Sequence, residues 1–257
     1  VPAPSPFPPL DRDPHPHPLV AEAAARFLSA LDAALPGYVV GLHLVGSAAL
    51  DDFVPGRCDL DFVAVTDGLP GRAGALALAQ VHEALDTEPS LDGIYVARED
   101  WDGPAVWGPG PAVRAGRFER LSGHRRRPVD RLALADHALT LRGTPPLAWL
   151  DAAALTGWAV DALNDLRERH AAGESDEAVL AVCRLHYLLA TWRIPSKSAA
   201  GLYGLITFEG RWRRILDEAL RLRRAPGSPS LYQEADACRR DARAFVEMAA
   251  ADALSLA

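Results

Sequence analysis

Apolar positions recur along the chain with two different periods. Val20, Ala24, Phe27, Leu28, Leu31 and Leu35 fall at three- and four-residue steps before Pro36-Gly37 ends the run, the pattern of a helix with one buried stripe. Tyr38 to Val45 is a nearly unbroken apolar run of strand length. Leu60 to Val65 predicts a second strand, and the alanine- and leucine-rich residues 72–86 a helix. Asp92 to Val96, bounded by Pro89-Ser90 and by Arg98-Glu99-Asp100, predicts a third strand. Residues 101–128, rich in Gly, Pro and Arg, show no usable period. Beyond Trp149 the pattern changes. Residues 151–170, 176–192, 211–224 and 231–254 carry helical spacing, are separated by Gly173, Pro195 and Pro226-Gly227, and show no strand pattern. The expected organisation is α+β: a proline-rich leader over 1–18, a sheet-containing domain over 19–150 and an all-α bundle over 151–257.

Composition narrows the partners. Of the 257 residues, 27 are Lys or Arg and 34 are Asp or Glu, a net charge of −7. Nucleic-acid binding needs a basic footprint, so an acidic chain favours small cationic partners instead. Cys58, Cys183 and Cys238 are too few and too scattered for a disulfide framework or a zinc site, which implies a reducing compartment. No apolar run approaches the roughly 18–20 residues of a membrane span, and no charged-then-apolar leader opens the sequence. These features predict a cytoplasmic protein without membrane or nucleic-acid partners, and leave its oligomeric state open. His15 and His17, in a proline-fixed arm, read as solvated.

Chemistry concentrates between Gly46 and Val65. An apolar strand ends in Gly46-Ser47, a polar stretch comes next, and Asp59-Leu60-Asp61 opens the following strand. Side chains alternate along a strand, so Asp59 and Asp61 share a face while Leu60 and Phe62 enter the core. Two carboxylates so placed repel, and both stay ionised only with positive charge between them. A hard divalent cation such as Mg²⁺ suits such a pair together with substrate phosphates. An arginine already lodged there would count against that reading. Gly46 allows a bulky anion to approach the backbone, and Ser47 offers a hydroxyl donor. Asp92, on the neighbouring strand, is placed to face the same cation or to take a proton from an attacking hydroxyl. Asp-x-Asp and Gly-Ser are each common by chance; the order in which they occur here, with a third acid after them, is what singles them out.

Gly46-Ser47, a gap of eleven residues and Asp59-Leu60-Asp61 resemble the signature of DNA polymerase β-like nucleotidyltransferases. Val179 to Tyr187, with Arg184, and Ile194 to Gly201, with Ser196-Lys197, are similar to the helical domain of aminoglycoside 3″/9-type adenylyltransferases. That resemblance implies a small mixed sheet followed by a helical bundle that closes over a nucleotide held between the two. It further implies ATP as co-substrate, with AMP transferred to a hydroxyl of an aminoglycoside-like acceptor. Asp59, Asp61 and Asp92 would be the Mg²⁺-facing acids, with Asp92 as base where the family usually has Glu. Gly46, Ser47, Arg184 and Lys197 would contact the triphosphate, and Glu174 a cationic acceptor. Cys58 stands where the family often has Ser. Two alternatives remain open: a nucleotidyltransferase acting on an endogenous metabolite or natural-product intermediate, and a catalytically degenerate ATP-binding module.

Overall fold

The computed structural model describes residues 16–85, 88–101, 103, 107–147, 149, 151–171 and 177–257. The chain divides into two compact units, the first ending at Leu150 and the second running from Asp151 to Ala257.

In the N-terminal unit, α1 (Pro18–Ala34) leads into β1 (Val39–Leu44), the short α2 (Gly46–Ala49), β2 (Leu60–Thr66), α3 (Arg72–Ala84) and β3 (Leu91–Ala97). The sequence places all of these except α2, with ends within a few residues. Around and beyond residues 101–128, where the sequence shows little pattern, lie α4 (Arg98–Trp101), β4 (Gly110–Arg114), β5 (Arg117–Ser122), α5 (Pro128–His137) and β6 (Leu139–Arg142). The six strands form one mixed sheet in the order β5-β4-β3-β2-β1-β6, with β2 and β3 parallel and the other neighbours antiparallel.

Strand alternation divides the unit's core in two. Leu60, Phe62 and Ala64 of β2 pack with Leu91 and Tyr95 of β3 against Val20, Phe27 and Leu31 of α1 and Leu78 and Val81 of α3. Val63 and Val65 turn to the other face, where Ile94, Val96, Trp101, Trp107 and Leu134 cover them. Asp61 has the parity of Val63, so the sheet's pleat assigns it to this second face. Gly93 is required by packing, since a Cβ there would lie 2.2 Å from the Phe62 carbonyl oxygen.

The C-terminal unit contains α6 (Ala152–Ala171), α7 (Ala178–Thr191), α8 (Lys197–Thr207), a 3₁₀ turn (Gly210–Trp212), α9 (Arg213–Arg224) and α10 (Ala235–Leu254). The sequence pattern does not foretell α8. Its apolar face is built largely from small residues, and Gly201 and Gly204 let it press onto its neighbours: a Cβ at Gly201 would meet Leu220 at 2.6 Å. Ser196 caps α8 by accepting from the Ala199 amide at 3.1 Å. Most of α7 is buried, and His186 in its centre bridges the Tyr203 hydroxyl and the Asp252 carboxylate, each at 2.8 Å. On α9, the buried Glu218 accepts from the Arg221 fork, the Ser230 hydroxyl and the Leu231 amide. Among the described residues, no helix is long and apolar enough to cross a membrane.

Candidate functional site

The parallel pairing of β2 and β3 sets Leu60 opposite Leu91 and Asp61 opposite Asp92. Asp61 and Asp92 are therefore nearest neighbours across the ladder. Asp92 is buried and Asp61 half-buried, whereas Asp59, one residue ahead of β2, is exposed. Gly46, with φ of +65°, holds α2 against this pair: a Cβ at Gly46 would stand 1.9 Å from Oδ2 of Asp61. Val45 donates its amide to the Asp61 carbonyl at 2.9 Å, which ties the Gly46-Ser47 corner to the strand. Ser47 is half-buried on α2. Cys58 closes the intervening loop, its sulfur accepting from the Val54 amide at 3.3 Å.

The positive charge beside the pair comes from the chain itself. Arg125 donates from Nη2 to Oδ1 of Asp61 at 2.5 Å and from Nε to Oδ1 of Asp92. His124 Nε2 lies 2.7 Å from the same Asp92 oxygen, and the Ala115 amide donates to its Oδ2 at 3.4 Å. Burial would raise the Asp92 carboxyl, but the Arg125 guanidinium and the His124 contact outweigh it and hold the group below the usual carboxylate range. For Arg125, burial acts to lower the pKa; Asp61 and Asp92 more than offset it.

This cationic segment lies in the region that gives no sequence pattern. Its only signal is the run His124-Arg125-Arg126-Arg127 in an otherwise acidic chain. Each arginine has a different function. Arg126 is buried and donates to the carbonyls of Tyr95 at 2.9 Å and Pro111 at 3.0 Å, in a space that opens because Gly110 lacks a Cβ. Arg127 is the N-cap of α5 and forms a two-pronged pair with Asp130. Arg125, next to these anchors, has φ of +50° and is aimed at the carboxylates.

The expected Mg²⁺ set, Asp59, Asp61 and Asp92, has a different partner in this structure. As folded, the acids do not fit a divalent cation: one guanidinium engages Oδ1 of both Asp61 and Asp92, and Oδ2 of Asp61 is packed against Gly46. Among the described residues, no group of three or more His, Cys, Asp or Glu is arranged to hold a metal. The strand geometry brings Asp61 and Asp92 together, but with an internal cation as their partner.

In the C-terminal unit, Arg184 of α7 donates from Nε to the Pro195 carbonyl at 3.1 Å, which sets it beside the start of α8. Lys197 opens α8 and pairs with Glu177 at 2.5 Å. Both expected phosphate-binding cations thus stand at the α7–α8 corner. Glu174, the expected acceptor contact, lies outside the described residues, as does nearly all of the expected leader.

Gly46→Ala measures how tightly the corner is built. A left-handed backbone with a Cβ costs about 1–2 kcal/mol, and the contact with a restrained Asp61 raises the total to about 2–4 kcal/mol. Gly37→Ala is the control, because Gly37 has φ of +73° with nothing within 4 Å and carries only the backbone part. Urea unfolding of the two variants should separate them; equal losses would show that the Gly46–Asp61 contact is soft.

The N-terminal unit thus has a mixed sheet with Asp61 and Asp92 paired on adjacent strands beside a Gly-Ser corner, and the chain continues into an all-helical unit. Residues 148–251 match the family described as Aminoglycoside adenylyltransferase, C-terminal domain. The resemblance of the helical part to this family, read from the sequence, holds. Among solved structures, the chain is similar to spectinomycin adenyltransferase AAD(9) from Enterococcus faecialis, solved with ATP and spectinomycin. The TM-score is 0.62 at 13% identity, covering 88% of this chain and 99% of that one, a likeness of fold. No curated protein matches the chain by sequence.

Proposed function

We propose that the chain transfers AMP from ATP to a hydroxyl of a small, cationic, aminoglycoside-like acceptor. The observation that carries this reading is the adenylyltransferase C-terminal domain match over 148–251. The spectinomycin and ATP of the similar structure are the first acceptor and donor to try. The acceptor oxygen attacks the α-phosphorus, the bond to the β-phosphate oxygen breaks, pyrophosphate leaves, and the hydroxyl proton passes to a base. Such transfers depend on positioning and charge stabilisation. Arg184 and Lys197 supply a planar fork and a point charge suited to phosphates, and Gly46-Ser47 a tight corner with a hydroxyl donor. Asp92 is the candidate proton acceptor. Its pairing with Arg125 and His124 depresses its proton affinity, so it serves as a base only once that pairing loosens. Mg²⁺, which ordinarily accompanies the triphosphate in this class, would supply charge neutralisation.

One observation favours a second reading. A carboxylate pair already engaged by the Arg125 guanidinium also suits a nucleotide-binding module that has lost turnover. Incubation with ATP, MgCl₂ and a panel including spectinomycin and streptomycin, read by mass spectrometry for an AMP adduct and by pyrophosphate release, separates the two. The expected result is an adduct on one acceptor with matching pyrophosphate. ATP binding by calorimetry without an adduct on any acceptor would favour the silent module.

A further inference from the structure

The structure assigns a second small-molecule site to the other face of the sheet: a cavity between α3 and the β4–β5 hairpin that suits an organic ammonium on an apolar, preferably aromatic, body. The cavity has a volume of about 580 Å³, within the roughly 300–1,000 Å³ of small-molecule pockets. Leu91 lines it, and alternation along β3 puts Leu91 and Asp92 on opposite faces, so the cavity stands apart from the Asp61–Asp92 pair. Leu85, Leu91 and the half-buried Phe118 form its apolar wall. Phe118 is held from behind: its ring lies nearly parallel to His82 at 6.4 Å and edge-on to Tyr95 at 6.2 Å. A ring so fixed needs little further ordering when a ligand packs on it.

The polar part of the lining sets the charge of the occupant. The Glu83 carboxylate on α3 and the Ser90 hydroxyl ahead of β3 both line the cavity, and neither side chain bonds to another described residue. Arg117 also lines it, but that residue has the opposite strand parity to Phe118, which assigns its side chain to the far face. Two oxygen acceptors beside an aromatic face call for a cationic donor: the ammonium meets Glu83 and Ser90 while the body lies on Phe118. An anion would face Glu83 with nothing to offset the repulsion, and a neutral apolar molecule would desolvate that carboxylate without pairing it. One turn connects the cavity to Asp92. Ala115 and Gly116, with φ of +48° and +74°, join β4 to β5 and line the cavity. The Gly116 amide donates to the Leu91 carbonyl at 2.8 Å, and the Ala115 amide to Oδ2 of Asp92 at 3.4 Å. A ligand packed on Leu91 and this turn favours the arrangement in which both bonds are made. Neither the cavity nor its occupancy depends on AMP transfer.

Phenethylamine is the probe, titrated into the full chain by calorimetry. The controls are 3-phenylpropanoate, with a similar body and the opposite charge, and ethylamine, with the ammonium and no ring. Phenethylamine should saturate one site with Kd below about 1 mM, and neither control should saturate over the same concentrations. Glu83→Gln, at an exposed position, should weaken phenethylamine about tenfold. Ala79→Leu, which fills the cavity from α3 without changing its charge, should weaken it by at least as much. Asp61→Asn should bind phenethylamine as the unmodified protein does, which separates this site from the acid pair. Saturating phenethylamine should slow hydrogen exchange over residues 114–118 and leave the exchange of α7 unchanged. Four results would each overturn the assignment: no saturation by phenethylamine, equal binding of 3-phenylpropanoate, binding that survives both Glu83→Gln and Ala79→Leu, or unchanged exchange over 114–118 in the saturated protein. Binding lost in Asp61→Asn alone would place the amine at the acid pair and overturn it as well.

Discussion

Asp61→Asn is expected to reduce AMP transfer on the order of a thousandfold, the scale seen when an enzyme loses one preorganised electrostatic contact in its transition state. The substitution is nearly isosteric. The amide oxygen can still face Arg125 Nη2, and the Val45–Asp61 backbone hydrogen bond is untouched. What disappears is one negative charge of the two that share Arg125. The fold should therefore survive: Arg125 keeps Asp92, and the Asp61 side chain is 15% exposed, so water can solvate part of the lost pairing. A stability change within about 1–2 kcal/mol is expected. Single-turnover assays with ATP in excess, set beside urea unfolding of the same preparation, test both halves. Near-normal turnover would exclude Asp61 from the reaction. An unfolded protein would mean that the charge pair is chiefly structural.

The parts of the molecule legible in the sequence are those whose pattern is local. β1, β2 and β3 are short apolar runs, α1 and α3 carry one-sided periodicity, and Asp61 and Asp92 emerge as partners because strand parity and parallel pairing build on those runs. The edge strands hide for a physical reason. β5 is half-buried to exposed along its length and reads Arg-Phe-Glu-Arg-Leu-Ser, with a 74% exposed Leu121, so burial imposes no clean alternation. α8 hides because close packing through Gly201 and Gly204 replaces the large apolar side chains that a helical period is read from. Arg125 is the consequential omission. Three consecutive arginines look like a solvated charge run, and only the surrounding strands direct one into the sheet, one against β3 and β4 and one onto a helix cap. No local rule distinguishes them, because their partners lie 15 to 64 residues away except for Asp130.

Mild acid should unfold the N-terminal unit, through two histidines that play no part in the candidate site. His43, on β1, is fully buried, stacks on Trp101 at 4.7 Å and meets the Thr140 hydroxyl at 3.0 Å, while its Nε2 has no partner. His82, on α3, is 5% exposed among Phe27, Phe62 and Phe118, with Nε2 on the Tyr95 hydroxyl at 2.7 Å and Nδ1 unpartnered. Burial lowers both to about 4. Above about pH 6.5 both are neutral whether folded or unfolded, and they contribute no pH dependence. Between about 6.5 and 4 the unfolded chain takes up a proton at each site and the native protein does not, so stability falls as the pH falls. The slope is about 1.4 kcal/mol per unit for each histidine, or about 3 kcal/mol each over the window. Together they remove about 6–7 kcal/mol, comparable with the whole stability of a typical domain. Asp92 acts in the same direction but lower. Its depressed pKa stabilises the fold above the ordinary aspartate value and is lost only beneath it, after the histidines have acted. Urea midpoints read by pulsed hydrogen exchange over β1–β3 should fall steeply from pH 6.5 to 4.5. His43→Phe, which keeps a ring on Trp101 and leaves the half-buried Thr140 hydroxyl able to reach water, should halve the slope. A flat profile would mean that both rings find a hydrogen-bond acceptor for their second proton in the folded protein, contrary to the unpartnered nitrogens at His43 and His82.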